Sequence, residues 1–298
     1  MTISQTEMTH ASAKGFDTLP AQDALMILAK AQVEAATAVQ EAVPQIAVAA
    51  DIAAQALARG GRLIYTAAGS SGLMALADAL ELPGTYGIER DRIAVLLAGG
   101  VAGLTSMEGA PEDDADAARA QLAEIKIGPL DCMIALTASG YTPYPMTMVE
   151  IARNAGAATI GISNNRGAAI FDKVDVAICL PTPPEVIAGS TRMGAGTAQK
   201  IALNMLSTMM AAQLGHVHDG YMVNLIADNI KLRGRARGIV MNVTGVDEAA
   251  ATQALDAAQG AVKTAIVLAA GADDLASAET LLADNDGRLR PVLASLGR

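Results

Sequence analysis

Two short stretches of this sequence carry residue types that bind phosphate. Each follows an apolar segment and precedes a run of helix-forming residues. They contain Gly69, Ser70, Ser71 and Gly72 in the first stretch, and Ser139, Gly140 and Thr142 in the second. The backbone N–H groups at the start of a helix lack intrahelical partners, and the helix dipole favours an anion there. Hydroxyl groups add further donors, so the two stretches together predict one pocket for a phosphate and for sugar hydroxyls.

Other interpretations of these stretches are open or weaker. A serine after a strand often serves only as the N-cap of the next helix. Neither stretch contains a lysine, which argues against a Walker-type phosphate loop, and no G-x-G-x-x-G pattern follows the first apolar segment, which argues against a dinucleotide.

A third segment, residues 184–200, precedes a long predicted helix and carries both hydroxyls and charges. Ser190 and Thr191 are suited to cap that helix, and this interpretation has as much support as a functional one. The functional interpretation places three charged side chains near a sugar: Glu185, Arg192 and Lys200.

These stretches need a scaffold, and the chain alternates apolar segments with helical ones. The predicted strands are residues 62–67, 92–98, 132–137, 158–163 and 176–180. Predicted helices between them include residues 71–81, 114–125 and 145–155. This alternation predicts an α/β fold with a parallel, doubly wound sheet flanked by helices. In such sheets ligands bind at the carboxyl ends of the strands, beside the topological switch point.

The remaining chain is mostly helical. Residues 1–15 are expected to form a loose arm, and residues 21–59 two helices with a break at Pro44. Long helices are predicted over 194–215 and 221–237, followed by short ones over 247–258, 261–270 and 274–283. We therefore divide the chain into an N-terminal arm with helices (1–50), a phosphosugar-binding domain (51–240) and a small helical C-terminal module (241–298).

Composition narrows the class of protein. Apolar residues make up 52% and charged residues 17% of the 298 residues, which excludes a disordered chain. The net charge of −10 argues against nucleic-acid binding. Cys132 and Cys179 lie in apolar runs and are expected to be inert buried thiols. The polar first residues do not resemble a signal peptide, and the apolar segment 201–215 is too short to span a membrane, so we expect a cytoplasmic protein.

Longer motifs identify a family resemblance. Residues 68–72, 137–140 and 185–191 resemble the SIS (sugar isomerase) domain, which binds phosphosugars. More narrowly, the chain resembles N-acetylmuramic acid 6-phosphate etherases, in order from about residue 17 to the C-terminus. The segments that carry this resemblance are 60–65, 78–81, 85–87, 97–100, 108–110, 112–113, 189–193, 195–200, 204–208, 239–241 and 244–245.

The resemblance implies an enzyme that releases D-lactate from the sugar 6-phosphate and leaves N-acetylglucosamine 6-phosphate. It also implies a homodimer that uses no metal and no other cofactor. The family's two catalytic glutamates correspond to Glu81, the acid that protonates the departing lactate, and Glu112, the base at C2. Without the resemblance, either residue would be interpreted as an ordinary solvated glutamate.

Carboxylates suit this reaction. In the open-chain sugar the C2 proton is acidified by the C1 aldehyde, so one carboxylate removes it while a carboxylic acid protonates the ether oxygen. Water then adds to the unsaturated aldehyde. If the helix begins near Ser71, Glu81 lies about 15 Å further along it, at 1.5 Å per residue. Unless that helix ends early, we expect Glu81 to serve the pocket of a partner subunit, with the active site near the dimer interface.

The chain departs from the family pattern at several positions, which leaves the exact sugar open. The family's usual basic residues are replaced by Leu73, Tyr141 and Gly194, its usual acid after Ala-Gly-Gly is Val101, and Pro111 is inserted just before the proposed base. Two alternatives therefore stay open: an aldose–ketose phosphosugar isomerase or a lyase acting on another phosphosugar, and a non-catalytic phosphosugar-sensing regulator. Retention of both Glu81 and Glu112 favours catalysis over sensing, and retention of Glu81 in particular favours elimination over isomerisation.

Overall fold

The structure, a computed structural model, describes residues 4–227 and 229–298. The chain forms two compact units. The first takes the chain up to Ala79 together with Asp91–Ser207, and the second comprises Leu80–Arg90 with Thr208–Arg298. The domain boundaries expected from the sequence stay a prediction.

The first unit is built on a five-stranded parallel sheet, which confirms the predicted fold class. Its strands are β1 (Leu63–Ala67), β2 (Ile93–Leu97), β3 (Cys132–Leu136), β4 (Ala158–Ser163) and β5 (Val176–Cys179). Their order across the sheet is β2-β1-β3-β4-β5. The chain leaves β1 towards one edge and returns on its other side with β3, so the topological switch point lies between β1 and β3.

The central strands form because their side chains are apolar on both faces. Every residue of β1 and of β3 is buried, as expected for a parallel sheet covered on both sides. Their register is fixed where they begin. The Arg62 guanidinium donates to both carboxylate oxygens of Asp131, at 3.1 and 2.8 Å, and the Arg62 backbone N–H donates to the same group. Asp131 accordingly has a pKa below its usual value, because these hydrogen bonds outweigh the effect of burial.

Seven α-helices begin among the described residues of this unit. They are α1 (Ala21–Ala38), α2 (Val43–Ala58), α3 (Gly69–Tyr86), α4 (Gly100–Ser106), α5 (Ala115–Ile125), α6 (Pro143–Asn154) and α7 (Gly194–Gln213). Helix α2 packs against β1, β3, β4 and β5, while α6 packs against β1, β3, β4 and α5. Tyr144 and Met148 of α6 are fully buried against Ile64 and Met133 of the sheet. These helices flank the sheet and hold its strand ends in place.

Two expectations for this unit were wrong. The loose arm expected over residues 1–15 is wrong for residues 5–7, because Gln5–Glu7 form a 3-10 helix in which Thr6 is buried with hydrogen bonds to Asn165. Residues 1–3 lie outside the described residues. Helix α3 does not stop at residue 81 but continues through Pro83 to Tyr86.

The second unit is helical. After the short hairpin of β6 (Val217–His218) and β7 (Tyr221–Met222) come α8 (Ile230–Thr244), α9 (Glu248–Ala257), α10 (Val262–Ala270), α11 (Leu275–Ala283) and α12 (Leu289–Ser295). Their buried faces form one apolar cluster that includes Val240, Ile266 and Val292. The helix predicted over 221–237 begins late, because Asn229 caps α8 by accepting from the Leu232 N–H at 2.9 Å. Among the described residues, no helix has the length and apolar character needed to cross a bilayer.

Candidate functional site

The two predicted hydroxyl-bearing loops meet at the switch point of the sheet. Ala67, the last residue of β1, pairs in register with Leu136, the last residue of β3, so the two loops start side by side. A cavity of about 150 Å³ lies between them. Its polar lining consists of hydroxyls and two carboxylates: Thr6, Ser70, Ser71, Thr137, Ser139, Thr142, Thr191, Glu7 and Glu112. No Lys, Arg or His is among its described lining residues, so an anion there would be held by neutral donors.

The loop after β3 is ordered by its own hydroxyl groups. Thr137 Oγ1 lies 2.8 Å from Thr142 Oγ1 and 3.3 Å from Ser139 Oγ. The N–H groups of Gly140 and Tyr141 donate to Thr137 Oγ1 and Ser139 Oγ, at 3.1 and 3.2 Å. Gly140 has φ of +83°, and a methyl group on it would lie 2.2 Å from Ala168 Cβ, so only glycine fits. The result is a tight turn that presents Ser139 and Thr142 to the cavity at the start of α6.

The loop after β1 faces a carboxylate. Gly69 has φ of +52°, and a methyl group on it would lie 2.5 Å from Glu112 Oε1. Glu112 therefore lies directly against the start of α3, next to Ser70 and Ser71. It reaches this position from the 3-10 helix Ala110–Asp113, which follows α4. The positive φ at residue 69 favours glycine, and a side chain there would also displace the Glu112 carboxylate.

Glu112 is also the acid whose environment favours a proton. Burial raises the pKa of Glu112 above its ordinary value, and the neighbouring negative charge of Asp113 raises it further. A carboxylate with a raised pKa is a stronger base, as proton abstraction from carbon requires. Perturbed acids of this kind cluster at catalytic sites, although structural networks also produce them.

The segment before α7 differs from the sequence interpretation. Helix α7 is not capped by the side chains of Ser190 and Thr191. Instead both oxygens of the buried Glu185 carboxylate accept from the N–H groups of Gly194 and Ala195, at 3.0 and 2.8 Å. Glu185 is thus engaged in a helix cap and is not among the residues that line the cavity.

Of the other predicted site residues in this segment, some line the cavity and others do not. Thr191 lines the cavity together with Gly189. Ser190 is half-buried beside them, and Lys200 is half-buried within α7, but neither is a lining residue. Their assignment to substrate binding stays a prediction.

Glu81, the second predicted catalytic residue, belongs to the other unit. It lies in α3 with an exposed side chain, between the exposed Leu80 and the buried Leu82. Because α3 continues beyond it, the helix does not end early in the way that a pocket within one chain would require. Its catalytic role stays a prediction.

Sequence reasoning missed three residues at this site: Thr6, Glu7 and Asn165. Asn165 is buried and donates from its side-chain amide to the backbone oxygens of Ala138 and Ser139, at 3.0 and 3.1 Å. The same side chain binds Thr6. Asn165 comes two residues after the end of β4, and a position at the carboxyl end of a parallel strand was the signal that could have found it.

Four of the residues that depart from the family pattern lie in different environments, three exposed and one buried. Leu73 and Val101 are exposed, and the exposed Tyr141 donates its hydroxyl to the Gly167 oxygen at 3.3 Å. Gly194 is buried, and a methyl group on it would lie 3.0 Å from Ala35 Cβ and 3.2 Å from Glu185 Oε2. A longer side chain at position 194 would require Ala35 or the Glu185 carboxylate to shift.

Comparisons with known proteins agree with this architecture. A family model described as the SIS domain matches residues 28–164. Among solved structures, a protein from Escherichia coli superposes with a TM-score of 0.51 at 13% identity, over 68% of this chain and 97% of that one. A phosphoheptose isomerase from Francisella tularensis gives a TM-score of 0.50 at 20% identity, over 65% of this chain and 100% of that one. At these identities the likeness shows the fold alone.

Relatives in sequence are more specific. N-acetylmuramic acid 6-phosphate etherase from Deinococcus radiodurans is 43% identical over 89% of this chain and 87% of its own length. The etherase from Mycolicibacterium smegmatis is 44% identical over 90% of both chains, and that from Streptomyces avermitilis is 40% identical over 95% and 91%.

The sheet, its switch point and the hydroxyl-lined cavity define a SIS-domain protein of the phosphosugar-binding class. Within that class, the chain belongs to the N-acetylmuramic acid 6-phosphate etherase family.

Proposed function

We propose that this chain cleaves the D-lactyl ether of N-acetylmuramic acid 6-phosphate, a step of cell-wall amino sugar recycling. The products are N-acetylglucosamine 6-phosphate and D-lactate, which makes the enzyme a carbon–oxygen lyase. One observation carries this proposal within the family: the cavity brings Glu112, with its raised pKa, to the same place as the hydroxyls of both strand-end loops.

We assign different parts of the substrate to the two loops. Glu112 lies against the start of α3, and a phosphate placed there would meet a like charge. Two unit charges 4 Å apart interact by about 1 kcal/mol in water and about 4 kcal/mol at an effective dielectric constant of 20. The phosphate therefore binds at Ser139, Gly140 and Thr142, and the sugar extends towards Ser70, Ser71 and Glu112.

In this arrangement the reaction is an elimination followed by an addition. Glu112 removes the C2 proton of the open-chain sugar, the C3–oxygen bond breaks, and Glu81 in its acid form protonates the departing lactate oxygen. Water then adds across the C2–C3 double bond of the unsaturated aldehyde: its oxygen bonds to C3 and C2 takes up a proton, which gives the saturated aldehyde of the product. This sequence uses two carboxyl groups in opposite protonation states.

Glu81 is assigned to the pocket of a partner subunit. Helix α3 runs from Gly69 to Tyr86, so the phosphate loops and Glu81 of one chain are not joined by a short turn. A homodimer with its active sites near the interface accounts for the participation of both acids. We further assign the enzyme to the cytoplasm, where a sugar phosphate is retained.

A direct assay separates this function from its alternatives. Incubation with N-acetylmuramic acid 6-phosphate in heavy-oxygen water should release D-lactate and place solvent oxygen at C3 of the sugar. An isomerase would interconvert an aldose and a ketose phosphate without lactate, and a sensor would bind the sugar without turnover. Absence of D-lactate from the full-length protein would overturn the proposal.

The shared site has its own test. Inactive Glu81→Ala subunits mixed with inactive Glu112→Gln subunits should form hybrid dimers that regain part of the activity, because one of the two pockets is then intact. Hybrids with no activity would exclude a site completed by the partner subunit.

A further inference from the structure

The cavity at the strand ends is too small for the ligand that its chemistry fits. Its volume is about 150 Å³, whereas sites for small molecules usually occupy roughly 300–1,000 Å³. A hexose phosphate therefore cannot lie wholly inside this cavity of one chain unless part of the lining moves. Most of the lining belongs to the ends of buried strands and to the starts of helices packed on the sheet, which move little.

Outside these elements, the lining consists of Glu112, the loop residues Gly189 and Thr191, and the segment of residues 4–7, which we call the strap. It contains only the 3-10 helix Gln5–Glu7, and it contributes Thr6 and Glu7 to the cavity. Two hydrogen bonds tie it to Asn165. The Thr6 N–H donates to Asn165 Oδ1 and the Asn165 amide donates to Thr6 Oγ1, both at 3.1 Å.

The same asparagine links the strap to the phosphate loop. Thr6 and Asn165 are each 4% exposed, so these polar groups are nearly removed from water. Asn165 also donates to the backbone oxygens of Ala138 and Ser139. Buried polar groups are strongly favoured to keep their partners, so one side chain couples the closed strap to the conformation of the loop after β3.

Glu7 gives the strap a specific role. Its carboxylate extends towards the segment of Gly189 and Thr191, since a methyl group on Gly189 would lie 3.5 Å from Glu7 Oε2. A carboxylate repels phosphate and accepts hydrogen bonds from hydroxyl and amide N–H groups. Glu7 therefore faces the sugar and not its phosphate.

From these contacts we propose that the strap opens to admit the phosphosugar and closes over it, and that Glu7 is a substrate-binding residue that accepts a hydrogen bond from a sugar hydroxyl or amide. This inference rests on the proposed function only in taking a phosphosugar as the ligand. It adds a binding residue and a moving element to a site otherwise made by the sheet.

Steady-state kinetics test the role of Glu7. Glu7→Gln keeps the size of the side chain and removes its charge, so KM for N-acetylmuramic acid 6-phosphate should rise about tenfold, as for one charge-assisted hydrogen bond. The kcat should change much less, because Glu7 takes no part in bond breaking. Thr6→Val removes one bond to Asn165 and should also raise KM. Thr9→Val and Asp17→Asn, at exposed positions nearby, are the matched controls and should behave like the original protein.

Hydrogen exchange tests the closure without turnover. Addition of N-acetylglucosamine 6-phosphate to the full-length protein should slow exchange of the Thr6 and Glu7 amides at least several-fold. If the protein releases no D-lactate but this protection is seen, the proposed reaction fails and the strap stands. If the protein is active while the strap amides exchange unchanged and Glu7→Gln matches its controls, the strap proposal is wrong.

Discussion

The loop after β1 and the loop after β3 lie side by side at the carboxyl ends of two adjacent strands, and they use their hydroxyl groups differently. In the loop after β3, Thr137 and Ser139 accept from backbone N–H groups and fix a tight turn. In the loop after β1, Gly69 has no side chain, and the Glu112 carboxylate lies against its backbone. The first arrangement suits a fixed anion, and the second suits a group that must gain and lose a proton.

The difference shows how one fold separates binding from chemistry. Both loops start helices and both offer donors, so the helix dipole alone would favour an anion at either. What distinguishes them is the neighbour supplied from elsewhere in the chain. Four predictions test whether the loop after β3 binds the anion while the loop after β1 serves the chemistry, beginning with the change expected to have the largest effect.

Removal of the charge that distinguishes the loop after β1 should have the largest effect. Glu112→Gln preserves the shape of the side chain and abolishes the base, so kcat for D-lactate release should fall about 10³-fold. Glu108→Gln, an exposed glutamate in the same connection, is the control and should leave kcat near its original value. A Glu112→Gln enzyme with normal kcat would show that the catalytic base does not lie at the loop after β1.

A methyl group added to each loop should separate function from stability. In Gly69→Ala the new carbon would displace the Glu112 carboxylate, so kcat should fall by about one to two orders of magnitude. In Gly140→Ala the carbon would collide with Ala168 in the packed turn, so the free energy of unfolding should fall by about 2 kcal/mol or more. Steady-state kinetics of both variants measure kcat, and denaturant unfolding measures the free energy of unfolding. Equal loss of activity at equal stability in the two variants would contradict the division.

Hydroxyl removal should change different kinetic constants in the two loops. Ser139→Ala removes a proposed phosphate donor and should raise KM about tenfold with a smaller change in kcat. Ser70→Ala, beside Glu112, should lower kcat more than it raises KM. The reverse pattern would place the phosphate on the loop after β1.

The smallest effect concerns pH. Since Glu112 acts as a base, activity should be lost as pH falls through its raised pKa. Asp113→Asn removes the like charge that contributes to this shift, so the pKa of Glu112 should decrease. The acidic limb of the kcat/KM profile should then move to lower pH by a fraction of a unit. A limb that moves to higher pH, or does not move, would show that another group controls it.

The helical second unit contains two basic groups with lowered pKa values, in contrast to Glu112, an acid with a raised pKa. Burial lowers the pKa of His216 to about 4 and that of Lys263 to about 8. Buried bases that resist protonation stabilise a fold more as pH rises through the interval between the folded and unfolded pKa values. These groups therefore affect stability, whereas the raised pKa of Glu112 lies at the cavity and affects chemistry.

Much of this protein was determined by local sequence. Short apolar segments such as residues 132–137 favoured buried strands, and their alternation with helical segments predicted the class of sheet. The two hydroxyl loops could be located because glycine, serine and threonine follow two predicted strands, although each loop by itself also fits a simple N-cap. The family motifs then added Glu112, a residue that its own surroundings in the sequence did not distinguish from a solvated glutamate.

Only the tertiary structure decided which distant groups meet. Glu185 caps α7 although Ser190 and Thr191 stand nearer to that helix, and Thr6 pairs with Asn165 across 159 positions of the chain. Gly69 and Glu112 are likewise brought together by the register of the sheet and the length of the connection between them. Periodicity and propensity act over a few residues, whereas these contacts depend on how whole elements pack, and no local pattern encodes that geometry.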